Sequence, residues 1–177
     1  MPDAVIVAAE TPETPVDAKE LIVKMLDEAE AKEKECALKL CALIKAVGMA
    51  GKDLHYRAKG EAFYSDHLLA DLGWQIERLS DDFIEVYYMG DKGWDAPLMS
   101  KVYGMARDEM PYVDDDVAKD AGTEFWARRL LETCEKLAKQ VEEAKANLMA
   151  RSGTQAAMDE ISKQALQVAG LLKRTVK

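Results

Sequence analysis

The sequence predicts an all-α fold, a four-helix bundle in which a long connection carrying a short helix joins the second helix to the third. Apolar residues recur at steps of three, four and seven over most of the chain, and no alternating strand pattern is found. The second and third periodic segments are separated by residues 94–118, which are bounded by Pro97 and Pro111. A connection of this length usually crosses from one end of a bundle to the other.

The apolar spacing gives the bounds of each element. It predicts the four long helices over about 17–53, 61–89, 118–151 and 155–174. A short helix is predicted over 98–110, and the glycine-rich segment 90–93 ends the second long helix. Residues 1–16 hold three of the five prolines and no Lys or Arg, which indicates a flexible N-terminal tail. The folded domain is therefore predicted over 17–177. On the first helix the predicted inward residues are Leu21, Met25, Ala29, Cys36, Leu40, Leu43 and Val47.

Composition narrows the class of protein. The chain has 177 residues, of which 49% are hydrophobic and 32% charged, as expected of one soluble globular domain. It has no apolar run long enough to span a membrane and no basic-then-apolar leader, so we expect a cytoplasmic protein without a membrane partner. Its three cysteines fit neither a disulfide framework nor a zinc motif, and we expect reduced thiols. The net charge of -9 argues against nucleic acid as a partner.

The second helix carries two opposite stripes at 100° per residue. Its apolar stripe consists of Leu69, Leu72, Ile76, Leu79, Phe83 and Tyr87. The opposite stripe consists of His67, Asp71, Trp74, Arg78, Asp81 and Glu85. A charged stripe is ordinarily a solvated face, but Trp74 at its middle favours an interface.

Distance decides how the polar stripe could bind a metal. Asp71 and Asp81 lie roughly 15 Å apart along an ideal helix, too far for one ion within one chain. If two copies pack antiparallel about a two-fold axis near Ile76, His67 faces Glu85 of the partner and Asp71 faces Asp81. Two equivalent sites of imidazole and carboxylates result. These ligands suit ferrous iron, and zinc also fits them.

Residues 54–71 contain His55, followed by the aromatic Tyr56, then Gly60, Phe63, a second histidine (His67) twelve residues after the first, and the acidic Asp71 four further on. This order and spacing resemble the hallmark of the Dps family of mini-ferritins, which belong to the ferritin-like superfamily. A downstream acidic pair resembles the family's Asp and Glu, four residues apart, and the resemblance spans about residues 17–175. The matching residues are His55, Tyr56, Gly60, Phe63, His67, Asp71, Asp81 and Glu85.

The resemblance implies a function. His55, His67 and Asp71 would bind iron from one subunit, with Asp81 and Glu85 contributed by its two-fold mate. The family fold implies a shell of twelve subunits, built from two-fold dimers, in which hydrogen peroxide or oxygen oxidises ferrous iron. The ferric product is stored as mineral, and this ferroxidase activity protects against oxidative stress.

Some features depart from the family's pattern or leave alternatives. The spacing from Asp71 to Asp81 is one residue shorter than is usual in the family, so Asp82 remains an alternative ligand. DNA-binding members resemble one another in a lysine-rich tail, whereas this chain has no basic residue before Lys19.

Other functions left open are a ferritin-like shell or nucleoid-type structural protein with weak or no ferroxidase activity, and a bundle that binds zinc, manganese or another divalent metal. The acidic run over 114–116 fits either a solvated helix start or the lining of an iron entry pore.

Overall fold

The computed structural model describes residues 18–58, 63–110 and 112–176. These residues are helical over most of their length and contain no strand, so the prediction of an all-α fold is confirmed. Their arrangement as a four-helix bundle stays a prediction. The elements are α1 (Ala18–Arg57), α2 (Phe63–Ile76), α3 (Leu79–Phe83), a π-helical segment (Ile84–Asp91), α4 (Met99–Glu109), α5 (Asp115–Asp120), α6 (Thr123–Asn147) and α7 (Ser152–Leu172).

The contacts divide the chain into two units, Met1–Lys32 and Glu33–Lys177. In the first unit, residues 18–32 are helical and exposed throughout. Leu21, Met25 and Ala29 are among them, so the prediction that these three residues point inward is wrong. Helical periodicity identifies the apolar face of a helix, but it does not say whether another element covers that face. The predicted tail over 1–16 lies outside the described residues.

In the second unit, α1, α2, α3, the π-helical segment, α4, α6 and α7 all contribute fully buried side chains to one core. The α6 and α7 helices pack along each other, and α2 contacts both. The apolar spacing also predicts the inward faces of the last two long helices, and their burial confirms the helical phase of α6 and α7. These residues are Ala127, Leu130, Cys134, Leu137, Val141, Ala144 and Leu148, and Met158, Ile161, Ala165, Val168 and Leu172. The largest of the fully buried side chains are Trp126, Tyr87, Phe83, Leu40, Leu43, Ile44, Leu54, Ile76, Leu130, Leu137, Met158 and Ile161.

The second predicted helix is not continuous, contrary to the prediction of one helix over 61–89. The α2 helix ends at Ile76, and a tight turn at Glu77 and Arg78 leads into α3. In this turn the Glu77 N–H donates to the Trp74 carbonyl at 3.0 Å, and the Asp81 N–H donates to the Arg78 carbonyl at 3.0 Å. Such bonds to the third preceding residue belong to 3₁₀ geometry, which is wound more tightly than an α-helix. Periodicity does not show the tightening, because the apolar stripe continues across it.

The connection between the π-helical segment and α6 contains two short helices. The α4 helix over Met99–Glu109 confirms the short helix predicted in this connection. The α5 helix precedes α6, which begins at Thr123 rather than near Ala118. Asp114 caps α5 by accepting a hydrogen bond from the Asp116 N–H at 2.9 Å. The acidic run therefore has a structural role at a helix start, and the pore stays a prediction.

Candidate metal site

Three of the five predicted metal ligands meet where the last turn of α1 lies beside α2. His55 belongs to α1, whereas His67 and Asp71 are one turn apart on α2. The Nδ1 atom of His55 lies 2.9 Å from Oδ1 of Asp71. The rings of His55 and His67 are 3.7 Å apart between centroids, with their planes tilted by 34°. We call these three residues the first ligand group.

Two glycines of α1 allow the helices to approach this closely. A Cβ atom added to Gly51 would lie 2.8 Å from the backbone nitrogen of Trp74 and 2.9 Å from the carbonyl oxygen of Ala70. A Cβ atom on Gly48 would lie 2.7 Å from the Cβ of Glu77. The α1 helix continues through both glycines to Arg57, so they serve close packing here. Contact between the two backbones brings His55 within reach of Asp71.

The first ligand group is accessible without being fully solvated. The side chains of His55 and Asp71 are 22% and 40% exposed, and the exposed Trp74 ring lies edge-on to His55 at 6.1 Å between centroids. If Nδ1 of His55 carries the proton that Asp71 accepts, the lone pair of Nε2 is left for a metal. Metal-binding histidines commonly donate their other ring N–H to a carboxylate in this way.

Asp81 and Glu85, the second ligand group, lie beyond the tight turn. Asp81 belongs to α3 and Glu85 to the first turn of the π-helical segment, and both are exposed. Oδ1 of Asp81 accepts a hydrogen bond from Nζ of Lys45 at 3.0 Å. Asp82 is also exposed. Within the part of the chain that the structure describes, no three or more His, Cys, Asp or Glu side chains are placed so that they could hold a metal ion by themselves.

Between the two ligand groups the outward surface forms a shallow cleft, lined by Asp71, Trp74, Gln75 and Arg78. Ile76, at the same level of the helix, is fully buried on the opposite side. The predicted division of this helix into a buried apolar stripe and an accessible polar stripe is thus confirmed at its centre. An accessible aromatic ring beside charged groups is the composition typical of an interface core with a polar rim.

A buried ionic cluster behind the tight turn was missed by the sequence reasoning. The Glu77 carboxylate accepts hydrogen bonds from Nζ of Lys52 at 2.8 Å and from the Tyr103 hydroxyl at 2.9 Å. Lys45, only 3% exposed, donates to the Glu77 carbonyl at 3.4 Å as well as to Asp81. Burial, together with the neighbouring Glu77 carboxylate, raises the pKa of Tyr103. One signal was available, because Lys45 and Lys52 are seven residues apart and share a face of α1.

The three cysteines are free thiols, as expected. Cys41 and Cys134 are buried, and burial raises the pKa of each thiol to about 12. They are therefore protonated at neutral pH and do not contribute to the candidate site.

Comparison with models of known families gives no match for this chain, and comparison with curated proteins gives none either. None of the helices in the described ranges is long and apolar enough to cross a membrane.

Proposed function

We propose that this chain is the subunit of a Dps-like mini-ferritin, a cytoplasmic ferroxidase that oxidises ferrous iron at sites shared by two subunits. The observation that carries the proposal is the meeting of His55, His67 and Asp71 at the surface between α1 and α2. In this proposal the long helical stretches form a ferritin-like four-helix bundle, with α4 inside the crossover. Twelve subunits, built from two-fold dimers, form the shell that stores the ferric mineral and so protects against oxidative stress.

The two ligand groups complement each other chemically. The first group offers two imidazoles and one carboxylate, and the second offers two carboxylates. Antiparallel pairing of two chains across the Trp74 cleft would place the first group of each chain opposite the second group of the other. Mixed nitrogen and oxygen ligands suit ferrous iron as the substrate, and hydrogen peroxide or oxygen would take up its electron.

The tight turn supports Asp81 as the acidic ligand despite the short spacing from Asp71. A residue in 3₁₀ geometry advances about 120° and about 2.0 Å, against about 100° and about 1.5 Å in an α-helix. Glu77, Arg78, Ser80 and Asp81 each donate their N–H to the carbonyl of the third preceding residue, so the chain turns further before Asp81 than a regular α-helix would. This added rotation partly offsets a spacing that is one residue short.

The charge of the chain also supports an iron-handling shell. A net charge of -9 per subunit, repeated in a closed shell, produces a negative potential that concentrates cations such as ferrous iron. The same potential repels DNA, so we propose no nucleic-acid partner.

The proposal is tested by adding ferrous iron anaerobically to metal-free protein, followed by peroxide or oxygen, and recording ferric absorbance. The native chain is compared with a His67→Ala, Asp71→Ala double variant and with Glu142→Ala, which removes a surface charge that pairs with Lys145. Light scattering reports the size of each assembly. Rapid oxidation that is lost only in the double variant supports the proposal, whereas equal, slow oxidation by all three proteins contradicts it.

A shell with weak or no oxidation is the second candidate function. The observation that favours it is the ion pair from Lys45 to Asp81, since an ammonium group on a ligand oxygen repels an incoming cation. Ferrous iron bound at the expected stoichiometry but oxidised no faster than in buffer would identify this case. A bundle that binds zinc or manganese instead would be revealed by metal analysis of the purified protein.

A further inference from the structure

The tight turn at Glu77 and Arg78 separates the two ligand groups along one helical stretch. The first group's His67 and Asp71 precede the turn, and the second group follows it. Rotation at the turn therefore changes the angle between the two groups without altering either group internally. Since antiparallel pairing would use both groups of each chain, such a rotation would misalign both sites of a dimer at once.

Three side chains from two helices hold this turn. Lys52 and Tyr103 fix the side chain of Glu77, from α1 and α4 respectively. Lys45 holds the Glu77 carbonyl and reaches across the turn to Asp81, so one ammonium group joins the turn to the second ligand group. Gly48 leaves the space that the Glu77 side chain occupies against α1.

The charges of the cluster balance, with Glu77 and Lys45 buried and Lys52 and Asp81 closer to the surface. Two carboxylates, of Glu77 and Asp81, face two ammonium groups, of Lys45 and Lys52. Glu77 and Lys45 are 8% and 3% exposed, so neither can exchange its partners for water at low cost. A paired cluster whose central Glu77 and Lys45 are buried favours one arrangement of the elements that it joins more strongly than apolar packing alone does.

We propose that Glu77 is a positioning residue, which acts through Lys45 and Lys52 to fix the angle between the two ligand groups. This inference rests on the proposed function, because it concerns the alignment of the same intersubunit site. Glu77 does not itself bind the metal: its two carboxylate oxygens are taken by Lys52 and Tyr103. Its effect on iron passes through Lys45, which bonds directly to Asp81, and loss of such a direct partner typically weakens metal binding about tenfold to a hundredfold.

The test uses the full-length chain and its Glu77→Gln variant, which keeps the size of the side chain and removes its charge. Anaerobic titration with ferrous iron gives the stoichiometry and Kd, and thermal unfolding with and without ferrous iron gives the rise in Tm on binding. The matched control is Glu142→Gln, which removes a carboxylate from an exposed pair with Lys145. We expect Glu77→Gln to keep the stoichiometry and shell size, to raise Kd about tenfold or more and to shrink the rise in Tm. We expect the control to match the native chain.

The outcomes separate this inference from the proposed function. If Glu77→Gln lowers Tm without metal but leaves Kd and the iron-induced rise unchanged, Glu77 is only structural and the inference is overturned. If the native chain binds no ferrous iron, the proposed function itself fails, whatever the variant does. If Glu77→Gln does not assemble, Tyr103→Phe decides, because it removes a single hydrogen bond onto Glu77. A several-fold rise in Kd then supports the inference, and an unchanged Kd overturns it.

Discussion

The two ligand groups differ in how far a single chain assembles them. In the first group, His55 contacts both His67 and Asp71, and backbone contact at Gly51 holds α1 against α2. In the second group, Asp81 and Glu85 stand exposed on the surface, and the connection from Asp81 to the interior runs through Lys45. The first group is thus preorganised within the chain, whereas the second is aimed outward, as a group that acts on a partner subunit would be.

The largest effect that we expect comes from removing the second ligand group. An Asp81→Asn, Glu85→Gln variant should lose ferrous binding by roughly a hundredfold or more, since two carboxylate ligands become neutral amides. Asp82→Asn is the comparison variant, because Asp82 is adjacent, also exposed and the alternative ligand. Anaerobic iron titration measures both. Strong loss in Asp82→Asn with near-native binding by the double variant would assign the ligand to Asp82 and reject the alignment given by the tight turn.

The most direct way to disrupt the first ligand group is to substitute Gly51, where α1 and α2 are in contact. A Gly51→Ala substitution places a Cβ atom against the backbone at Trp74 and Ala70, and α2 must move away. We expect a loss of about 1–3 kcal/mol in unfolding free energy, together with weaker iron binding. Gly104→Ala in α4 is the control, because nothing lies within 4 Å of its Cβ position. There, alanine should stabilise the helix by about 0.5–1 kcal/mol. Denaturant unfolding measures both, and equal effects would contradict the close-packing role.

Glu33 anchors the π-helical segment that carries Glu85, because it accepts a hydrogen bond from Tyr87 of that segment, and this support should depend on pH. Burial alone would raise the pKa of Glu33, but hydrogen bonds from Lys92, Tyr87 and the Met149 N–H lower it overall. A lowered pKa in the folded state means that the stabilisation is present above the ordinary carboxyl pKa and is lost as pH falls through the folded value.

Glu33→Gln should therefore lose less stability than the native chain between pH 7 and pH 3, by about 1 kcal/mol. Chemical denaturation at the two pH values measures the difference. Equal losses in both proteins would show that the carboxylate of Glu33 contributes nothing to acid sensitivity. Glu160→Gln is the control, since Glu160 also has a lowered pKa, through hydrogen bonds from Gln164 and Lys163, but lies at the surface.

The smallest effect that we expect concerns the rigidity of the buried residues next to the tight turn, which is reported by Cys41. Cys41 is fully buried with a thiol pKa of about 12, so we expect it to react with thiol reagents only when the structure opens. In a Cys36→Ser, Cys134→Ser background, labelling of Cys41 should be no faster than global unfolding. Adding Glu77→Gln should speed it. Fast labelling of Cys41 in the Cys36→Ser, Cys134→Ser background, without Glu77→Gln, would show that the turn is mobile.

Periodicity was sufficient to predict the helical class of the fold and the buried faces of α6 and α7. His67 and Asp71 were also available from the polar stripe of the second helix, whereas His55 was predicted only through the resemblance to the Dps hallmark. Periodicity could not show that the outer part of α1 is exposed, because an apolar stripe is the same whether or not a neighbour covers it. It could not show the tight turn either, since the turn depends on long-range pairing of Glu77 with lysines of another helix.

The glycines illustrate the same limit. In the sequence, Gly48 and Gly51 indicate weakened helical turns, because glycine lowers helix stability. In the structure they lie inside a continuous helix, at the points where Glu77 and α2 come closest. Their role depends on what faces them, which local spacing does not report.

The central claim, that each site takes one ligand group from each of two subunits, is tested most directly by complementation. Chains carrying His67→Ala and Asp71→Ala are mixed, unfolded and reassembled with equal amounts of chains carrying Asp81→Asn and Glu85→Gln. Each homogeneous assembly should be inactive. Random pairing makes about half of the dimers mixed, each with one intact site, so the mixture should recover about a quarter of the native rate of ferrous oxidation. A mixture no more active than either variant alone, in shells of native size, would contradict the shared site.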